Sequence, residues 1–144
     1  MSDLKTLQAL RTLLRTVTIS GLSNDDISYL DPPKPFDPKN KALWLSEGFV
    51  PASSESMGKT KASSDEDRGF YQITIFTPLL GGDFGLTTAG AIDNIKTVFF
   101  NGASIVYDGQ KVDILDVTAQ GQSESESWLS RVVTINYLTF SERI

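Results

Sequence analysis

Gly69-Phe70-Tyr71-Gln72-Ile73-Thr74-Ile75-Phe76-Thr77-Pro78 is the stretch that decides the fold class. Tyr71, Ile73 and Ile75 alternate onto one face, and Phe70, Gln72, Thr74 and Phe76 take the other. A period of two marks a β-strand, because successive side chains of an extended chain point to opposite faces. Upstream, residues 42–50 carry Trp44 and Phe49, stop at Pro51 and read as a second strand. Between the two lies PASSESMGKTKASSDEDR, residues 51–68, where Met57 is the only large apolar side chain. Such a segment cannot bury enough surface to offset its ordering entropy. It is expected to be a long polar loop closing a hairpin.

Helical signals flank this hairpin. Leu4, Leu7, Leu10, Leu14 and Val17 recur at spacings of three and four, which puts them on one helix face. Ser2 can cap that helix, and Lys5, Arg11 and Arg15 are expected mostly on its wet side. A second helix is expected over residues 86–100, with Ala89, Ile92, Ile95, Val98 and Phe99 as its apolar stripe. Asp83 or Thr87 can cap its start, and Asn101-Gly102 ends it. Residues 103–107 form a short strand, Asp108-Gly109 is a two-residue hairpin signal, and residues 111–119 return. After the polar turn 120–127, residues 128–140 read as one strand of about 43 Å at roughly 3.3 Å per residue. Its end either bends across the sheet or pairs with another subunit. The expected fold class is α+β, a mostly antiparallel sheet with two helices packed on one face. Residues 1–144 are expected to form a single domain. Four of the six prolines cluster in residues 31–41, an extended connection.

Composition narrows the function. The chain has no histidine and no cysteine, so histidine bases, thiolate nucleophiles, disulfides and zinc or iron–sulfur sites are excluded. A formal net charge of −5 argues against a duplex-binding footprint. No apolar run approaches the roughly 20 residues of a membrane-spanning helix. Gly58-Lys59-Thr60 matches the end of a phosphate-binding loop, but Ser53 stands where that loop needs glycine. Gly81, Gly82 and Gly85 serve a turn. Asp65-Glu66-Asp67 and Asp25-Asp26 lack the spacing of a calcium loop and read as solvated charge. No catalytic residue, metal ligand or cofactor site is expected, and the chain reads as a non-enzyme. The aromatics, Trp44, Phe70, Tyr71, Phe76, Phe99, Trp128 and Tyr137 among them, are expected in the core or at a subunit interface.

Taken in order, the landmarks resemble one family. They are Trp44–Pro51 (WLSEGFVP), the polar loop, Arg68-Gly69-Phe70-Tyr71-Gln72-Ile73 running to Pro78, and a glycine-rich turn. A helix with Ala91, Ile92, Asp93, Ile95, Phe99 and Phe100 follows, then Gly102 and a β-rich C-terminus. Over residues 1–140 the pattern is similar to the tail terminator (tail completion) proteins of long-tailed bacteriophages. The resemblance implies a small α+β subunit of a six-membered ring on the head-proximal end of the tail tube. That ring stops tube polymerisation, supplies the head-joining surface and passes DNA without reading it. It places the protein in the virion after assembly in the host cytoplasm. Its expected partners are further copies of itself, the tube protein and head or neck completion proteins, with no membrane partner.

On this resemblance Glu55, Lys59, Lys61, Asp65, Glu66, Asp67 and Arg68 are expected to form a flexible loop contacting tube, neck or lumen. Trp128, Leu129, Val133, Ile135 and Tyr137 are expected to form a subunit-interface strand. Another neck, connector or baseplate component, and a small ligand-binding domain, stay open as alternatives.

Overall fold

The computed structural model describes residues 3–19, 22, 26–30, 36, 42–56, 64–78, 85–124 and 127–142. Helix α1 spans Asp3–Arg15 and helix α2 spans Leu86–Val98. Seven strands accompany them: β1 (Ile27–Ser28), β2 (Trp44–Ser56), β3 (Ser64–Pro78), β4 (Ser104–Tyr107), β5 (Gln110–Ala119), β6 (Ser123–Glu124) and β7 (Trp128–Glu142). They form one sheet in the order β1-β2-β3-β7-β5-β4, with β6 pairing β7 beside β5. All pairs are antiparallel except β1 with β2. The fold is α+β, as the alternation of residues 69–78 requires.

The alternation sets what each face holds. Leu45 lies opposite Ile75, and Tyr71 opposite Ile135, so the apolar sets of three strands meet on one inner face. Tyr71, Ile73, Ile75, Val133 and Ile135 are fully buried there. From α1 the core takes Ala9, Leu10 and Leu14, and from α2 Ala91, Ile92 and Ile95. Leu4, expected on the buried face of α1, is exposed, whereas Leu10 and Leu14 on the same face are buried. Polar bonds fix both helices. The Gln110 amide donates to Thr6 Oγ1 at 2.6 Å and to Thr139 Oγ1 at 3.2 Å, joining α1 to β5 and β7. Thr77 and Thr88 hydroxyls lie 3.4 Å apart between β3 and α2.

The start of α2 differs from expectation. Its N-cap is Gly85, at φ 80°, with no side-chain cap bond. The left-handed backbone admits glycine most readily, so backbone conformation rather than a side-chain oxygen sets the turn. Thr87 lies inside the helix, while Asp83, Gly81, Gly82, the Ser2 cap and most of the 31–41 connection fall outside the described residues. The 108–109 turn matches its sequence signal, with φ 48° at Asp108 and 83° at Gly109.

Candidate assembly surfaces

The stretch expected as one polar loop is largely strand. Pro51–Ser56 continue β2 and Ser64–Arg68 begin β3, paired as Ser53↔Arg68, Ser54↔Asp67, Glu55↔Glu66 and Ser56↔Asp65. The loop expectation weighed side-chain burial alone. Backbone pairing needs no apolar side chain, and β7 supplies a third strand, from Arg68↔Leu138 to Ser64↔Glu142. Residues 57–63, with Lys59 and Lys61, lie outside the described residues. The register sets Glu55 directly across from Glu66. Asp67 is buried at the base of this extension and Arg68 beside it is exposed. Among the described residues no group of three or more acidic side chains could hold a metal ion.

The strand expected at a subunit interface lies in the middle of the sheet. β7 pairs with β3 along its whole length, and with β6 and β5 on its other side. Val133, Ile135 and Tyr137 face the subunit's own core, and Trp128 and Leu129 are partly exposed. The long strand thus neither bends away nor offers its paired length as a free edge. Its partners come from β3 and β5, elements far apart in sequence.

A charged group missed by the helix pattern organises one end of the inner face. Glu47 sits on β2 between Leu45 and Phe49 and is 5% exposed. Arg11 of α1 grips it, with Nε 2.9 Å from both carboxylate oxygens and the terminal nitrogen 2.7 Å from Oε1. The Tyr71 hydroxyl donates to Oε2 at 2.5 Å and the Leu30 amide to Oε1 at 3.1 Å. A carboxylate this buried needs such partners, since an uncompensated interior charge costs several kcal/mol. Hydrogen bonding to Glu47 raises the Arg11 pKa above its ordinary value. Burial, and then the Glu47 charge, push the Tyr71 phenol well above its ordinary 10. The Arg11 and Arg15 guanidinium groups also lie 5.4 and 5.5 Å from the Tyr29 ring centre. The cluster joins α1, the β1 connection, β2 and β3. Its effect is to fix α1 on the sheet, with the Glu47 side chain fully buried. The polar Glu47 within WLSEGFVP, at an inward strand position, was the available signal.

The opposite face of the sheet carries no helix contact of this kind. None of its positions on β2 from 44 to 50, on β3 from 70 to 76 or on β7 from 128 to 138 is charged. Trp44 stacks on Phe76 at 3.9 Å, with Phe36 at 5.1 Å and Trp128 edge-on at 5.7 Å. Phe70 and Val50 are exposed. Depletion of charge with aromatic enrichment is how the centre of a protein interface is composed. Among the described residues two sheet edges lack a further strand. β4 ends the sheet on one side, and β1 covers β2 only at Leu45 and Ser46 on the other. Outside β5, whose Asp113 and Asp116 lie on this face, the described outer face of β2, β3 and β7 is uncharged and aromatic.

The family described as phage tail terminator protein matches residues 6–137. The chain belongs to the phage tail terminator family. The match spans α1 to Tyr137, so it includes the Arg11–Glu47–Tyr71 cluster, both helices and most of the sheet. A solved chain that carries no functional name is similar in fold, with TM-score 0.71 and 13% identity, over 96% of each chain. A chain from the virion of a native gene transfer agent particle is similar with TM-score 0.58 and 16% identity, over 98% of this chain and 99% of that one. No curated protein matches. This terminator-family chain is a structural component of a phage tail, and the ordered landmarks of residues 44–102 led to the family that the match shows.

Proposed function

We propose that the protein caps the head-proximal end of the tail tube as a ring of six copies, stops tube polymerisation and offers the surface on which the filled head joins. The observation that carries this is the family match over residues 6–137. The fold shared with a chain of a gene transfer agent virion supports a place in the assembled particle. The role asks for binding surfaces and an opening for DNA, and for no catalytic group or cofactor. Tube and neck proteins are the partners.

Deleting the gene and imaging the particles tests the role. Overlong tails without heads are the expected result. Tails of normal length beside unjoined heads would instead make the protein a neck component. Purified protein should also decorate tube ends, and light scattering or microscopy of the decorated ends should give six times the 15.8 kDa chain mass.

A further inference from the structure

Building on the ring reading, we propose that neighbouring copies join by strand pairing. The β4 edge of one copy, Ser104–Tyr107, adds to the open stretch of β2, Glu47–Val50, in the next copy.

β4 pairs only with β5, in the register Ser104↔Asp113, Ile105↔Val112, Val106↔Lys111 and Tyr107↔Gln110. A two-residue turn at 108–109 makes Tyr107 and Gln110 a hydrogen-bonded pair, and the alternation makes Ile105 and Val112 the next. Ser104 and Val106 therefore turn their N–H and C=O groups away from β5, toward the open side. Among the described residues no further strand takes them up. Val106 is 63% exposed. Edges of this kind are usually blunted by lysine, proline or a bulge. SIVY has none of these.

The other side of the sheet offers a counterpart edge. β1 occupies the β2 edge only at Leu45 and Ser46. Pro51 has no N–H to give, and the ladder with β3 is irregular between Pro51 and Ser53. Between these limits, Glu47–Val50, no strand among the described residues pairs with this edge, and the Leu30 amide reaches the Glu47 carboxylate at its start. The faces also agree. Ile105 packs against the core, so Ser104 and Val106 lie on the outer face, as Gly48 and Val50 do. A joined sheet would keep inner side chains with inner ones, which restricts the register to steps of two.

Direction agrees too. The run of antiparallel pairs from β2 through β3, β7 and β5 to β4 leaves β4 parallel to β2. Copies rotated about an axis along the strands keep that direction, so β4 meets the neighbour's β2 in parallel. β1 already pairs parallel on that same edge, so the neighbour's β4 would add in the same direction. Using two different edges makes the contact heterologous, and such contacts close into rings when the rotation divides the circle. In either register that the faces allow, three residues of β4 lie opposite Glu47–Val50, which falls far short of the roughly 800 Å² per partner of a stable interface. Single contacts are therefore weak, and the ring is completed on the tube end.

The chain has no cysteine of its own, which permits a direct test. Val106→Cys is combined with Val50→Cys in one full-length variant and with Gly48→Cys in another. The two variants cover the two registers that the faces allow. Gly48 has room, since a Cβ there would come no closer than 3.6 Å to Gln72. Each variant is assembled on tube ends, oxidised and run on a non-reducing gel. A ladder reaching six chains from one double variant, with the single variants staying monomeric, is the expected result. Dimers from Val106→Cys alone would overturn the proposal in favour of a two-fold β4–β4 contact. Rings seen by microscopy without any ladder would overturn it and leave the ring reading standing. Absence of both would sink the two together. Val106→Lys should abolish ring formation while leaving the melting temperature of the isolated chain unchanged.

Discussion

Gly69 lies beneath the Tyr137 hydroxyl so closely that no side chain fits between them. A Cβ built on Gly69 would fall 2.5 Å from the Tyr137 hydroxyl oxygen, 2.8 Å from Cζ and 2.6 Å from the Val50 carbonyl. The two residues are register partners on β3 and β7, and the Tyr137 ring stacks on Phe49 of β2. The glycine is there for close approach of three central strands rather than for a special backbone angle.

Gly69→Ala should therefore destabilise the chain by about 1–3 kcal/mol, the usual cost of overpacking. Adding Tyr137→Phe should recover part of this, because the hydroxyl leaves but the Val50 carbonyl stays. Urea unfolding of the single and double variants measures both.

Arg11→Met leaves the buried Glu47 carboxylate without its cation, and the expected loss is about 3–5 kcal/mol. Pairing it with Glu47→Gln removes the stranded charge, so the double variant should be more stable than Arg11→Met alone. A double-mutant cycle by thermal or urea unfolding reads this coupling directly. If the two losses simply add, the cluster does not work as a unit.

The Tyr71 phenol gives stability an alkaline limit. Its folded pKa lies well above the ordinary 10 of the unfolded chain, because burial and Glu47 oppose ionisation. Below pH 10 both states hold the proton and the contribution is fully present. Above pH 10 the unfolded chain releases it first, so stability falls by up to about 1.4 kcal/mol per pH unit from this group. Tyr71→Phe should show a shallower decline of melting temperature between pH 9 and 11 than the native chain. Equal slopes would refute the assignment.

At the β4–β5 turn, Asp108 and Gly109 hold positive φ values of 48° and 83°. Gly109→Ala or Asp108→Val should cost about 1–2 kcal/mol each, whereas Asp108→Asn should be nearly neutral. Thermal melts of the three variants check the order.

The alternation of residues 69–78, the stripe of α1 and the Asp108-Gly109 turn were legible because each is a local pattern with one local solution. Period two cannot be buried by a helix, and a two-residue turn of Asp-Gly admits few alternatives. The Arg11–Glu47 pair was hidden because a strand pattern with a glutamate at an inward position looks like an interruption. Only α1, brought from 36 positions away in sequence, makes the carboxylate tolerable there.

The sequence by itself determined both helices, the cores of the long strands with the face each buries and, through ordered landmarks, the terminator family. Tertiary structure decided what each edge and charge does. It turned most of the polar segment 51–68 into paired strand by setting β7 beside it, and it drew β7 into the centre of the sheet. Among the described residues it left β4 and the Glu47–Val50 stretch of β2 without a further paired strand. The physical reason is that side-chain pattern is written locally, whereas backbone pairing and charge compensation depend on which distant strand or helix the fold brings alongside.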